Sequence, residues 1–265
     1  MRRIAAAVAA AAAASLLLAL LRRRSRWWLE QRLLRLRLVD DRDLIDARSV
    51  RLVAGVDISF VKDSETDACA ALAVLELPSL RCVHFEAQRV SLSAPYIPGY
   101  LAFREVGHLL ALLGRLRRSA PHLVPAAVLV DGNGVLHPNG FGLASQLGVI
   151  SGIPTVGVGK SIHNVDGLCR ESVRAVAAEC CRTKGECAPL VGRSGAVWGS
   201  VVRTTQPAES GGGGGFKPVI VSVGHGLRLE SCVDLVRACT LHRVPEPIRQ
   251  ADLRSREWLR EHAGD

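Results

Sequence analysis

The chain has 265 residues and a mass of 28.4 kDa, enough to bury one sizeable core, and a single domain is the simpler division of that length. Hydrophobic residues make up 48%, many of them in one N-terminal run. The remainder has the composition of an ordinary globular protein, so a fold is expected from about residue 27 onward. The net charge of +9 invites a nucleic-acid reading, but nine Arg against the single Glu30 give residues 1–38 +8 of it, leaving about +1 for the rest. Global charge therefore decides nothing. The eight cysteines lack the CxxC spacing of a zinc site, which excludes a zinc ribbon. Cys69, Cys82, Cys232 and Cys239 lie in apolar segments, and the set reads as reduced thiols of an intracellular protein, with disulfides as the alternative.

Residues 4–21 are an uncharged, Ala- and Leu-dominated run between Arg2-Arg3 and Arg22-Arg23-Arg24. A signal peptide would need a small-residue cleavage site where the Arg cluster stands. A membrane anchor is long enough but marginal, an Arg-rich and acid-poor mitochondrial presequence fits, and a dispensable extension stays open. Residues 1–26 are therefore set apart as a leader, and 27–262 as the folded domain. Residues 27–38, WWLEQRLLRLRL, space Trp and Leu at helical intervals and predict a packing helix.

Three β-rich runs follow at 51–61, 68–77 and 81–91, joined by links of hairpin length, and predict an antiparallel meander. Helical spacing at 99–119 precedes a short buried-type strand at 126–131 that ends in a Gly turn. Arg115, Arg117 and Arg118 read as a solvated helix end, with phosphate contact as the alternative. Residues 141–149 look helical and 154–158 strand-like. The order βββαβαβ joins a meander to α/β units, an α/β fold with a central mixed sheet flanked by helices, and it is the chain order of ribonuclease H-like folds. Strands at 196–203 and 218–223 are linked by a flexible loop at 206–216 holding Gly211 to Gly215. Helices at 230–240 and 248–261 close the chain, with Pro247 suited to the first turn of the second.

Asp57 sits midway along an apolar strand, where an unpaired carboxylate is costly unless a cation neutralises it. Asp131 ends the strand Val128-Leu129-Val130 before Gly132-Asn133-Gly134; alone it would read as a turn-forming Asp. Glu105 falls within the apolar arc of Leu101, Leu109, Leu112, Leu113 and Leu116, so it faces the sheet. Asp252 shares a helix face with Ile248, Ser255 and Leu259. Two inward helix acids plus two strand acids point to hard cations, and carboxylates that hold Mg²⁺ beside water and phosphate are what phosphodiester hydrolysis requires. Lys160, just after the strand ending Val158-Gly159, is either a further positive charge in that site or a surface Lys.

The sequence closely resembles the Endonuclease V family over roughly residues 27–262. The resemblance rests on Gly55-Val56-Asp57-Ile58-Ser59-Phe60, Ala94-Pro95-Tyr96-Ile97-Pro98-Gly99-Tyr100-Leu101-Ala102-Phe103-Arg104-Glu105, Asp131-Gly132-Asn133-Gly134, Gly157-Val158-Gly159-Lys160, Ser222-Val223-Gly224-His225 and Pro245-Glu246-Pro247-Ile248-Arg249-Gln250-Ala251-Asp252. It implies that Asp57, Glu105 and Asp131 are metal-binding catalytic acids, that Asp252 is a fourth acid of the site and that Lys160 contacts the scissile region. Pro95-Tyr96-Ile97-Pro98 matches the family's wedge, and a Tyr held between prolines can stack where a base has been swung out. Main-chain groups of Gly99, Tyr100, Leu101 and Gly132 would line a hypoxanthine pocket.

Asp at position 252, where bacterial members generally carry His, makes the chain similar to animal members, which prefer inosine in RNA. The resemblance implies cleavage of the second phosphodiester bond 3′ to inosine, with Mg²⁺ as cofactor and Mn²⁺ as substitute. The expected partners are inosine-containing single-stranded RNA and deoxyinosine-containing DNA, bound by a monomer. Location is expected in cytoplasm and nucleus or nucleolus, with mitochondrial or membrane targeting left open by the leader. The alternatives are an inosine-RNA binding protein without catalysis, which the four acids oppose, and a membrane-tethered factor. A resolvase or general ribonuclease H would have no reason to carry the Tyr96 wedge.

Overall fold

The computed structural model describes residues 2–206 and 217–262, with side-chain exposure in the first helix given for residue 14 onward except residue 16. The expected Gly-rich loop at 206–216 lies, beyond residue 206, outside the described residues. The chain opens on α1 (Arg2–Arg35), which starts far ahead of the expected residue 27. Residues 2–26 are Ala, Leu, Arg, Ile, Val and Ser only, with no Gly or Pro to stop a helix. It also ends earlier than expected, in a turn at residues 36–37. Among the described residues no helix is long and apolar enough to cross a membrane. Most of the run 4–21, on which the anchor reading rests, belongs to residues whose side chains lie outside the description.

The meander is present as β1 (Leu52–Phe60), β2 (Asp67–Glu76) and β3 (Arg81–Ser91), antiparallel in sequence order. After it come α2 (Ala102–Ser119), β4 (Ala127–Asp131), α3 (Leu143–Ser151) and β5 (Thr155–Gly159). The expected helix start at 99 is corrected to 102 because Gly99, at φ +84°, belongs to a turn that no helix can include. Then follow α4 (Arg170–Cys180), β6 (Cys187–Val191), β7 (Val197–Val202), β8 (Val219–His225), α5 (Leu229–Ala238) and α6 (Glu246–Glu261). The sequence reading assigned nothing to α4 and β6. One is a short helix, and the other a five-residue edge strand carrying Pro189, which an outermost strand tolerates.

Among the described residues the strands form one eight-stranded mixed sheet in the order β3-β2-β1-β4-β5-β8-β7-β6. Its middle strands β1, β4 and β5 are parallel, so their carboxyl ends meet at one edge. On one face Ala54, Val56, Val128 and Val130 pack beneath α2 and α3, through Leu109, Leu112, Leu116 and Leu147. On the other, Val53, Leu129, Val156 and Val221 pack beneath α5 and α6, through Val233, Val236, Ile248 and Ala251. Alternation along each strand produces both cores at once. This is a mixed sheet covered by helices on both faces, of the ribonuclease H-like class. The described cysteines are all free.

Candidate active site

Three neighbouring parallel strands bring the first groups together. Val56 pairs with Val130 across β1 and β4, and Asp57 and Asp131 each follow that pair by one residue. Asp131 pairs in turn with Val158 of β5, and Lys160 comes just past the end of that strand. Carboxyl ends of parallel strands leave side chains free above the sheet edge, the usual place for an α/β site. Lys160 Nζ donates to Asp131 Oδ2 at 2.5 Å. Of the Arg115 to Arg118 cluster, Arg115 pairs with Glu86 and Arg117 donates to the Ser151 carbonyl at 2.8 Å.

Asp252 and Glu105 arrive from opposite faces. Strand alternation turns Asp57 toward α6, which packs so closely on β1 that a Cβ on Gly55 would stand 2.0 Å from the Pro247 carbonyl carbon. The Ser59 hydroxyl, two residues on, stands 3.2 Å from Asp57 Oδ2 and 2.7 Å from the Ser255 hydroxyl of α6, and shares its one proton between them. Ser255 in turn donates to the Asp252 carbonyl at 2.8 Å, and Arg256 holds the Asp252 carboxylate at 2.7 Å. Glu105 lies in the first turn of α2, only 8% exposed.

The electrostatics show that these acids sense one another. Burial first, then the charges of Asp131 and Asp252, push Asp57 from 3.8 up to about 7, against the Lys160 charge and the Ser59 hydrogen bond. Burial first, then Asp57, raises Glu105 from 4.5 to about 7 against the Arg104 guanidinium. For Lys160, burial works to lower its pKa, but the hydrogen bond to Asp131 and the charges of Asp131, Asp57 and Asp252 outweigh it and raise the pKa. Among the described residues no three His, Cys, Asp or Glu side chains close on one point as a ready-made cation cage. Asp131 is paired with Lys160 and Asp252 with Arg256.

Beside Asp131 and Lys160 opens a cavity of about 300 Å³. Of the expected substrate residues, Tyr96, Gly99, Leu101 and Gly132 stand in its wall. Tyr96 is 57% exposed at the rim, an aromatic side chain held out toward solvent. Pro95, Ile97 and Pro98 are not in the wall but flank the tyrosine in the chain. Tyr100 does not reach the cavity. Its ring is buried against Trp27 and Phe103, at 6.2 Å from each, and its N–H donates to the Ile97 carbonyl.

Several wall residues escaped the sequence reading. Gln31 of α1 is 2% exposed, donates to the carbonyls of Phe141 at 2.7 Å and Gly99 at 3.3 Å, and accepts from Asn139 Nδ2 at 2.7 Å. It ties the loop that follows Tyr96 to the loop beyond β4. Its only signal was a polar residue four places from Trp27 on the packing face of an amphipathic helix. Buried His137 also lines the cavity and is pushed down to about 4 by burial and by His163, which keeps it neutral. Asn133 contributes an Oδ1 that is buried without a hydrogen-bond partner.

The family model described as Endonuclease V matches residues 34–253. The chain is 44% identical to mouse Endonuclease V over 241 residues, covering 89% of this chain and 69% of that one. It is 46% identical to human Endonuclease V over 212 residues, covering 80% and 73%. The solved catalytic domain of human Endonuclease V superimposes with a TM-score of 0.86 at 43% identity, over 92% of this chain and 98% of that one. Endonuclease V of Ciona intestinalis, solved in complex with a 24mer DNA containing an inosine followed by a ribo-adenosine, gives 0.81 at 32% identity over 91% and 99%. With a match spanning most of the chain and an acidic strand edge beside a walled cavity, the chain belongs to the Endonuclease V family.

Proposed function

We propose that the chain hydrolyses the second phosphodiester bond 3′ to inosine, preferentially in single-stranded RNA and also in deoxyinosine-containing DNA, leaving 3′-hydroxyl and 5′-phosphate ends. The observation that carries this reading is that Asp131 and Lys160 belong both to the acidic strand edge and to the wall of the cavity. A base in the cavity would set its own 3′ backbone against the acids. The relative from Ciona intestinalis, seen with inosine-containing DNA, supports the substrate class.

The donor set fits Mg²⁺, with Mn²⁺ as substitute. Mg²⁺ is generally held by one or two carboxylates, with water and phosphate oxygens completing its shell, rather than by an all-protein cage. Asp57, Glu105 and Asp131 would hold it, and the high proton affinity of Asp57 and Glu105 reflects buried negative charge that a cation relieves. When bound, the ion supplies charge to the phosphate and a lower pKa to the attacking water. Lys160, ionised and fixed by Asp131, offers the phosphate a second positive group. Asp252, clamped by Arg256, brings a fourth negative charge next to Asp57, while Ser59 and Ser255 tie Asp57 to the helix that carries it. Water oxygen bonds to phosphorus, the bond from phosphorus to the 3′ oxygen breaks, and that oxygen leaves as the hydroxyl.

Tyr96 would fill the gap left by the swung-out inosine. The neutral wall at His137 suits an uncharged base. The test is cleavage of matched inosine- and guanosine-containing RNA and DNA strands with Mg²⁺ or EDTA, by wild type, Asp57→Ala and Tyr96→Ala. Asp57→Ala should bind the inosine strand without cutting it. Stacking on an aromatic ring is worth about 1–3 kcal/mol, so Tyr96→Ala should bind about tenfold more weakly or worse, with the greater loss on duplexes. Equal cleavage of inosine and guanosine strands, or cleavage in EDTA, would overturn the reading.

A further inference from the structure

A second cavity, of about 620 Å³, lies on the other side of Lys160 and Ser161, which wall both. Its rim carries Lys160, Arg170, Arg174, Lys217 and Arg243, and among the described residues no acid lines it. The floor is apolar, made by Val173, Ala177 and Ile220, which belong to the core beneath α4. Arg170 and Arg174 stand one turn apart on the same face of that helix. Both are exposed, and neither makes a hydrogen bond or ion pair within the described residues. Arg243 is fixed, since it donates to the carbonyls of Lys217 at 2.9 Å and Pro218 at 3.3 Å.

Lys160 is already paired with Asp131, and Glu171 lies beside Arg170 and Arg174 in sequence, yet no carboxylate enters the groove itself, so a polyanion lying along it would meet cations on both sides. The rest of the chain after residue 38 is nearly neutral, so this concentration is local and not a consequence of overall charge. The groove begins at the same Lys160 that bonds Asp131. We propose that it binds the sugar-phosphate backbone of the strand flanking the inosine, by charge and without regard to base identity. The inference rests on the nucleic-acid reading above and adds the track the strand follows beyond the reaction site.

The measurement is binding of a single-stranded RNA of about 20 nucleotides by fluorescence anisotropy, as a function of monovalent salt. Inosine- and guanosine-containing versions are compared, in an Asp57→Ala background that leaves the strand intact. Each phosphate neutralised on a single strand contributes about 0.7 to the slope of log affinity against log salt. Arg170→Ala with Arg174→Ala should therefore flatten the slope by about 1.4 and weaken binding about 25-fold at roughly 0.1 M salt. The loss should be equal for the two strands, and the double Arg→Lys variant should retain the wild-type slope. Neither side chain makes a hydrogen bond, and Glu171, which feels both charges, is fully exposed, so the melting temperature should move little. An unchanged slope would overturn the proposal, as would a loss confined to the inosine strand or reproduced by the Lys variant. Selective cleavage by wild type is a separate readout, so failure of the groove and failure of the functional reading are told apart.

Discussion

At the scale of the residue, Glu105 and Asp57 show how a site is written into packing. Each occupies a position whose neighbours are apolar, and each is held as an acid that resists ionising. The fold raises both pKa values from 4.5 and 3.8 to about 7, which means that it favours the neutral forms. Their contribution to stability is then full below about pH 4 and is lost as pH rises through about 7. Without divalent metal, the melting temperature should fall between about pH 4 and 7 from this source. Glu105→Gln keeps the shape and removes one titration, so it should melt higher than wild type at pH 8 and flatten the curve. A Glu105→Gln profile parallel to that of wild type would place the titration elsewhere. That Glu105 faces inward was legible from helical spacing alone. The strength of its coupling was not, because Asp57 reaches it from a strand some fifty residues away in sequence.

At the scale of the element, the packing of α6 on β1 sets the position of Asp252. Gly55 is the contact, and a methyl group there would meet the Pro247 carbonyl carbon at 2.0 Å and the Ile248 nitrogen at 2.3 Å. Backbone cannot yield as a side chain does, so Gly55→Ala must push the helix outward. The bond from Ser59 to Ser255 would lengthen, and Asp252 would move away from Asp57. A loss of about 1–3 kcal/mol in stability is expected, with a fall in cleavage rate larger than the melting shift explains. Thermal unfolding and initial rates on the inosine strand measure the two effects, and a variant with full activity would separate Asp252 from the reaction. The sequence placed Gly55 and Pro247 in separate motifs, and nothing in their spacing said that one seats the other. Likewise the helix at residue 27 was legible, while the role of Gln31 in joining two loops was not.

At the scale of the whole molecule, the first helix changes character near residue 27. Residues 21–26 of α1 are exposed, whereas Trp27 stacks on Phe103 at 5.3 Å and Gln31 closes the cavity wall. A chain beginning at residue 27 should therefore fold and cut inosine strands at the rate of the full protein. Cell fractionation of the two forms tests whether residues 1–26 direct it to mitochondria or a membrane; a truncated chain that fails to fold would show that the leader is part of the domain. What the sequence determined by itself was local: strands and helices from periodicity, inward acids from their place on an apolar face, a wedge from a tyrosine between prolines. Those signals are carried by residues within a few turns of each other. What only the tertiary structure decided was which surfaces meet. The common edge of three parallel strands, the Lys160 bond to Asp131, the cavity walled in part by Gln31 and the basic groove under α4 all depend on strand order. Strand order is fixed by the burial of three core clusters together, a condition on the entire chain that no single segment expresses.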